Sequence, residues 1–230
     1  MDRPASDASK SAVDPSRPIL IWDLPTRIFH WMLVVAVAAS FATGKLGGTW
    51  MAYHKLSGYI IFSLLLFRLI WGIFGGHHAQ FINFVRGPGA VLGYARSMLR
   101  RDMPGHLGHN PLGGWSVLAM LITLMIQVVT GLFANDDIFT EGPLYDWVSK
   151  ATSDWLTKIH KLNQEVILAL VAIHVMAILF YLVIKGDNLI QPMITGYKHW
   201  RGEAPATSNS VWTAALIAGL SAVSVYFLVR

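Results

Sequence analysis

Four histidines, His30, His54, His160 and His174, sit inside or at the mouths of apolar stretches of this chain. An ionisable side chain within a bilayer is costly and marks function by default. His160 and His174 are fourteen residues apart in one apolar run. Over that interval an α-helix rises about 21 Å and completes nearly four turns. The two imidazoles therefore share a face, about 40° apart, at opposite depths. One metal cannot take both, but two separate sites can. His54 and Arg68 repeat the fourteen-residue interval in another apolar run.

The elements that must position these residues are read from composition. Of 230 residues, 54% are hydrophobic and 13% charged, the balance of an integral membrane protein rather than a water-soluble domain. Five stretches match the roughly 20 residues a spanning helix needs: about 28–44, 56–75, 115–134, 159–184 and 211–229. Trp22 and Trp31 extend the first at the interface. The expected fold is an all-α integral membrane protein, a four-helix bundle with a fifth C-terminal helix. Residues 1–20 read as a disordered cytoplasmic tail with no signal-peptide core, 21–200 as the bundle, and 201–230 as linker and fifth helix. With the N-terminus inside, eleven Lys and Arg, Arg100 and Arg101 among them, fall in inner segments against five in outer loops. That bias puts the C-terminus outside. The pI near 9.6 thus reflects topology rather than nucleic-acid binding.

This topology pairs the histidines by depth, His30 with His174 on the inner side and His54 with His160 on the outer side. Zinc sites need three or four close donors, whereas each pair here offers two. The missing equatorial ligands suit a porphyrin, built between facing helices. The chain has no cysteine, so disulfides, covalent CxxCH haem and cysteine-held clusters are excluded. Any haem is held non-covalently. Arg68 returns to the depth of His174 and is a candidate propionate partner, with Lys55 and Lys161 beside the outer ligands in the same role. Gly58, one turn after His54, leaves room for a flat macrocycle. His77, His78, His106, His109 and His199 are read as solvated loop residues. No internal repeat is evident, which weighs against a proton-coupled transporter. A purely structural membrane anchor is the other reading from a different class.

Several segments together resemble the bacterial cytochrome b561 family: IWDLPTRIFHW (21–31), HKLSGYIIFSLLLFRLIWGIFG (54–75), GHNPLGG (108–114), the His160/His174 pair and NLIQPMITGYK (188–198). That family includes the b-type cytochromes of nickel–iron hydrogenases and, more distantly, of formate dehydrogenases. The resemblance implies a four-helix core in the bacterial inner membrane. Two bis-histidine haem b groups on His30, His54, His160 and His174 would pass electrons between the quinone pool and a periplasmic partner. The partner is a c-type cytochrome or a hydrogenase-like enzyme. The acidic outer loop 135–154 suits a basic partner surface. By the same resemblance, quinone contacts fall on His109, Asn110 and Gly113, although Asn110 and Pro111 also make good helix-capping chemistry. Lipid and a second copy of the chain complete the expected associations; nucleic acid is not among them. No separate catalytic constellation is visible, so the expected role is an electron-carrying subunit. The alternative within the family is a free-standing superoxide:quinone oxidoreductase. The fifth helix departs from the minimal family core.

Reporter fusions test the charge argument. A fusion at Arg101 is expected to read cytoplasmic and one at Arg230 periplasmic. A cytoplasmic reading at Arg230 would mean that the last apolar stretch does not span.

Overall fold

The computed structural model describes residues 16–98, 105–205, 207 and 210–230. The proposed tail over 1–15, together with Arg100 and Arg101 of the charge count, lies outside them. Five helices are long and apolar enough to cross a membrane: α1 (Leu24–Leu46), α2 (Met51–Phe74), α5 (Pro111–Leu132), α6 (Lys150–Phe180) and α8 (Val211–Leu228). Between them lie the short helices α3 (Phe81–Phe84), α4 (Pro88–Ser97) and α7 (Ile190–Thr195). Strands β1 (Arg17–Leu20) and β2 (Tyr197–Trp200) pair antiparallel, with Arg17 opposite Trp200 and Leu20 opposite Tyr197.

Local chemistry explains the helix starts. Asp23 caps α1 by accepting from Thr26 N at 2.7 Å, with Pro25 in the first turn. Asn110 caps α5 in the same way, accepting from Gly113 N at 2.7 Å ahead of Pro111. Ser149 and Ser210 cap α6 and α8. The link from α1 to α2 turns at Gly47, whose φ of 65° favours glycine. The longest helix, α6, runs through a π-helical turn at Tyr181–Lys185 to a left-handed Gly186.

These helices form two antiparallel hairpins, α1 on α2 and α5 on α6. The hairpins meet along α2 and α5, and α8 lies along α2. The buried core centres on α2, at Ile61, Leu65, Phe67 and Trp71. The first three spans start four or five residues earlier than the sequence reading, and two further differences are larger in consequence. Residues 17–20, expected as tail, form β1. The fourth span begins at Lys150 rather than 159, so Asp154 belongs to a helix, where it binds Lys150 and Asn135.

Because α1 runs away from His30 and α2 returns, the bundle has a His30 end and a His54 end. Asp23 organises the first. Its buried carboxylate also accepts from Trp71 Nε1 at 3.2 Å and from Gly76 N at 3.3 Å. One carboxylate thus ties the start of α1 to the end of α2 and the chain beyond it. Asp23→Ala removes a cap worth about 1 kcal/mol and strands donors at about 1–3 kcal/mol each. Thermal unfolding in detergent is expected to show a clear loss of stability, with Asp23→Asn much milder because it keeps an acceptor. Equal melting of both variants and the parent would mean that Asp23 organises nothing.

Candidate haem-binding site

The imidazoles of His54 on α2 and His160 on α6 meet at the His54 end, with ring centroids 6.1 Å apart and planes at 88°. Two imidazoles on opposite sides of one iron stand roughly 6 Å apart, given metal–nitrogen bonds of about 2 Å. Each ring is held from behind by a backbone carbonyl of the neighbouring helix. His54 Nδ1 donates to Ser40 O at 2.8 Å, and His160 Nδ1 donates to Gln127 O at 2.9 Å. This fixes the tautomer and leaves Nε2 as the nitrogen able to take a metal, the outer-shell arrangement common to metal-bound histidines.

An imidazole reaches a carbonyl inside a helix only where the covering residue is small. Four residues after each accepting carbonyl stands a glycine. A Cβ on Gly44 would lie 2.9 Å from His54 Nδ1, and one on Gly131 would lie 2.8 Å from His160 Cε1. Before each glycine is a threonine that folds its hydroxyl onto its own helix: Thr43 donates to Ala39 O at 2.6 Å and Thr130 to Ile126 O at 2.7 Å. The two seats share a pattern, SFATG at 40–44 and QVVTG at 127–131. The sequence reading did not single out this Thr–Gly parallel. Five residues with two fixed identities are too short a signal to stand out before the structure gives them one role.

Gln127 adds a second contact. Its amide nitrogen lies 3.2 Å from His160 Nε2, while its oxygen accepts from Asn163 Nδ2 at 2.8 Å. Iron binding at Nε2 requires that amide to turn aside. Gln127 and Asn163 went unnoticed in the sequence, although polar residues inside spans were the available signal. Gly58 has nothing within 4 Å of where a Cβ would stand, as a face kept open for a macrocycle requires. Lys55 reaches Glu141 O at 3.5 Å, and Lys161 is exposed beside His160.

At the opposite end His30 and His174 lie within electrostatic reach of each other. The His30 ring packs edge-on to Trp31, and its Nδ1 is buried without a hydrogen-bond partner. Arg68 is 3% exposed, covered by the chain that follows α2. It donates from Nη2 to Ala79 O at 3.0 Å and stacks over Phe81. Of the histidines expected to be solvated, two are not. His78 is 8% exposed. His109 is wedged between the Trp22 and Phe84 rings, with its Nδ1 sealed. Burial, with the Arg68 charge second, pushes the His109 imidazole down to about 3. The short helix α3 and the ordered turn after α2 put the His78 ring inside and cover His109 Nδ1, and no periodic pattern in the sequence announced this. Asn110 has both arms engaged, one capping Gly113 N and the other donating to Tyr181 Oη at 3.0 Å. Among the described residues no three His, Cys or acidic side chains converge as a metal site.

In the loop after α5, Asp136 accepts from the backbone of Ile138, Phe139 and Thr140. Those donors hold its carboxyl below the usual carboxylate range. They also fix a turn that leaves Ile138 and Phe139 exposed.

The sequence model of the family described as prokaryotic cytochrome b561 matches residues 21–196. A probable Ni/Fe-hydrogenase B-type cytochrome subunit of Bradyrhizobium diazoefficiens is 24% identical, covering 86% of this chain and 92% of that protein. The probable Ni/Fe-hydrogenase 1 B-type cytochrome subunit of Escherichia coli K12 is 22% identical over 77% and 89%. A similar subunit of Cupriavidus necator is 22% identical over 79% and 87%. No solved structure matches the chain.

The two glycine seats make a sharp prediction. Gly44→Val and Gly131→Val each drive a side chain into the imidazole behind it. Each variant is expected to carry one haem per chain fewer than the parent by pyridine haemochrome assay. Gly219→Ala, on α8 and away from the histidines, meets nothing and is expected to retain the parental content. Full haem content in both valine variants would show that the seats do not position ligands.

Proposed function

The chain belongs to the prokaryotic cytochrome b561 family, and from this premise we propose that it is the di-haem electron-transfer subunit of a membrane oxidoreductase. It carries electrons across the bacterial inner membrane between a periplasmic redox enzyme and the quinone pool. The observation that carries the reading is the His54–His160 pair. Its rings stand 6.1 Å apart, and each is oriented by a backbone carbonyl and backed by a glycine. His30 and His174 hold the second haem at the other end of the bundle. Haem supplies an iron that takes up and releases one electron. The chain's own residues set where that happens. Histidine on both faces leaves no open coordination position, which favours electron transfer over activation of a small ligand. Lys55 and Lys161 stand where they can pair with the outer propionates, and Arg68 does the same for the inner ones.

The relatives' names make a nickel–iron hydrogenase the favoured partner. Such a partner meets the periplasmic side under an N-in, C-out topology, where the fixed loop around Asp136 projects Ile138 and Phe139. Quinone exchanges electrons at the inner end, beside His109, Asn110 and Gly113. Since Asn110 and Gly113 already serve the start of α5, His109 is the member of the three with a ring nitrogen to spare for the hydroxyl of a quinol.

Haem analysis of the purified protein tests this reading. Two non-covalent haem b groups per chain are expected. His54→Ala and His160→Ala should lose the same haem, and His30→Ala and His174→Ala the other. Absence of haem, or loss of the same haem from His30→Ala and His160→Ala, would overturn it.

A further inference from the structure

The two ends of the bundle differ in how their buried polar atoms are satisfied. At the His54 end both imidazole Nδ1 atoms have partners. Among the described residues, the buried side-chain polar atoms without any hydrogen-bond partner all lie at the His30 end, and three of them are Arg68 Nη1, His78 Nε2 and His109 Nδ1. A buried N–H left unmade costs about 1–3 kcal/mol, so one is an exception that needs a cause and a cluster needs a common one.

The three atoms belong to one neighbourhood. Arg68 Nη2 bonds the carbonyl of Ala79, the residue after His78. Gly108, the residue before His109, packs so tightly on His78 that a Cβ there would lie 3.0 Å from its Nδ1. With φ at 74°, Gly108 is also a position that favours glycine. This contact turns His78 Nε2 away from Gly108. His109 lies within electrostatic reach of Arg68, His78 and His174 together. Asp23 is the acidic group nearest to hand, but its carboxylate is occupied by Thr26, Trp71 and Gly76, and it makes no ion pair with Arg68.

We propose that Arg68 Nη1, His78 Nε2 and His109 Nδ1 form a carboxylate-binding cluster whose ligand is the propionate pair of the inner haem. The assignment rests on the di-haem reading and extends it to His78 and His109. The guanidinium supplies the positive charge, and the two neutral imidazoles supply fixed N–H donors. Charge-assisted bonds to a carboxylate are the strong ones, and in this dry setting they replace the water a propionate would otherwise need. His109 donates from Nδ1, so its Nε2 is the acceptor nitrogen of the neutral ring and faces a quinol hydroxyl rather than a quinone carbonyl. Phe84 and Trp22 clamp that ring, which explains why a histidine beside a helix start is sealed rather than solvated.

The test uses the purified holoprotein and reads haem content, the two midpoint potentials and the propionate vibrational bands. His78→Phe and His109→Phe keep aromatic volume and remove the donors. Both are expected to lower the potential of the haem that His30→Ala removes, because an uncompensated propionate favours the ferric state. Both should also shift that haem's propionate bands and weaken its retention on washing, with the other haem unchanged. His78→Gln and His109→Gln, which restore an N–H donor, should recover the parental bands and potential. Two haems with parental potentials and bands in both Phe variants would overturn the cluster while leaving the di-haem reading intact. A parent protein with no haem would fail the functional proposal itself.

Discussion

Everything at the His54 end depends on how a polar ring can be satisfied where there is no water. A ligating imidazole must give its Nδ1 proton to something, and in a bilayer the abundant acceptors are helix carbonyls already engaged four residues on. Sharing one requires the ring to approach the helix backbone itself, and a side chain at that fourth residue blocks the way. Gly44 and Gly131 remove the obstruction. Thr43 and Thr130, immediately before them, turn their hydroxyls inward to the same two helices. One solution appears twice, once in each hairpin. It acts through the backbone and makes few demands on sequence beyond the Thr–Gly pair.

The His30 end is built on a different principle. Asp23 gathers the donors of three segments, and its buried carboxylate ties α1, α2 and the turn after α2 into one corner. Arg68 is fixed against that corner by Ala79 and Phe81, and His78 and His109 by ring packing and by Gly108. Fixed donors with no acceptor are preorganised for an anion, because the ordering cost is met when the corner folds. Thus one end holds its imidazoles by neutral carbonyls, and the other presents positive charge and N–H groups.

Much of this was legible in the sequence because helical geometry is arithmetic. Fourteen residues place His160 and His174 on one face at two depths whatever surrounds them. The structure brings His54 to His160 as that arithmetic requires. Five spans were legible from apolar length, but the start of α6 was not. Its first nine residues carry Lys150, Asp154 and Lys158, so hydropathy misses a stretch that Ser149 caps and side-chain pairs support. Gln127 and Asn163 were open to the rule that flagged the histidines, and the stronger pattern of the histidines hid them. The burial of His78 was not legible at all. It depends on a four-residue helix, α3, and on the close approach of Gly108, contacts between segments thirty residues apart with no periodic signature.

The distribution of the four histidines ties cofactor to architecture. His30 and His54 belong to the first hairpin, and His160 and His174 both belong to α6 in the second. Every bis-histidine site in the proposed pairing therefore takes one ligand from each hairpin, and none is completed within a hairpin alone. The hairpins otherwise meet chiefly along α2 and α5, while α6 packs mainly on its own partner α5. Two metal bridges at opposite ends of α6 would act as cross-links where direct helix packing is sparse. Anything that binds the assembled state and not the separated hairpins stabilises assembly by mass action. The second hairpin then adopts one alignment, the one in which both ends of α6 find their ligand partners at the same time. In the proposed pairing the fourteen-residue interval on α6 would set the spacing of the sites and, through it, the register of one half of the bundle against the other. On the far side of α2, α8 buries Ala214, Ser221 and Val225 and shields the helix that carries both His54 and Arg68. The fifth helix thus supports the most enclosed wall of the site without contributing a ligand to it.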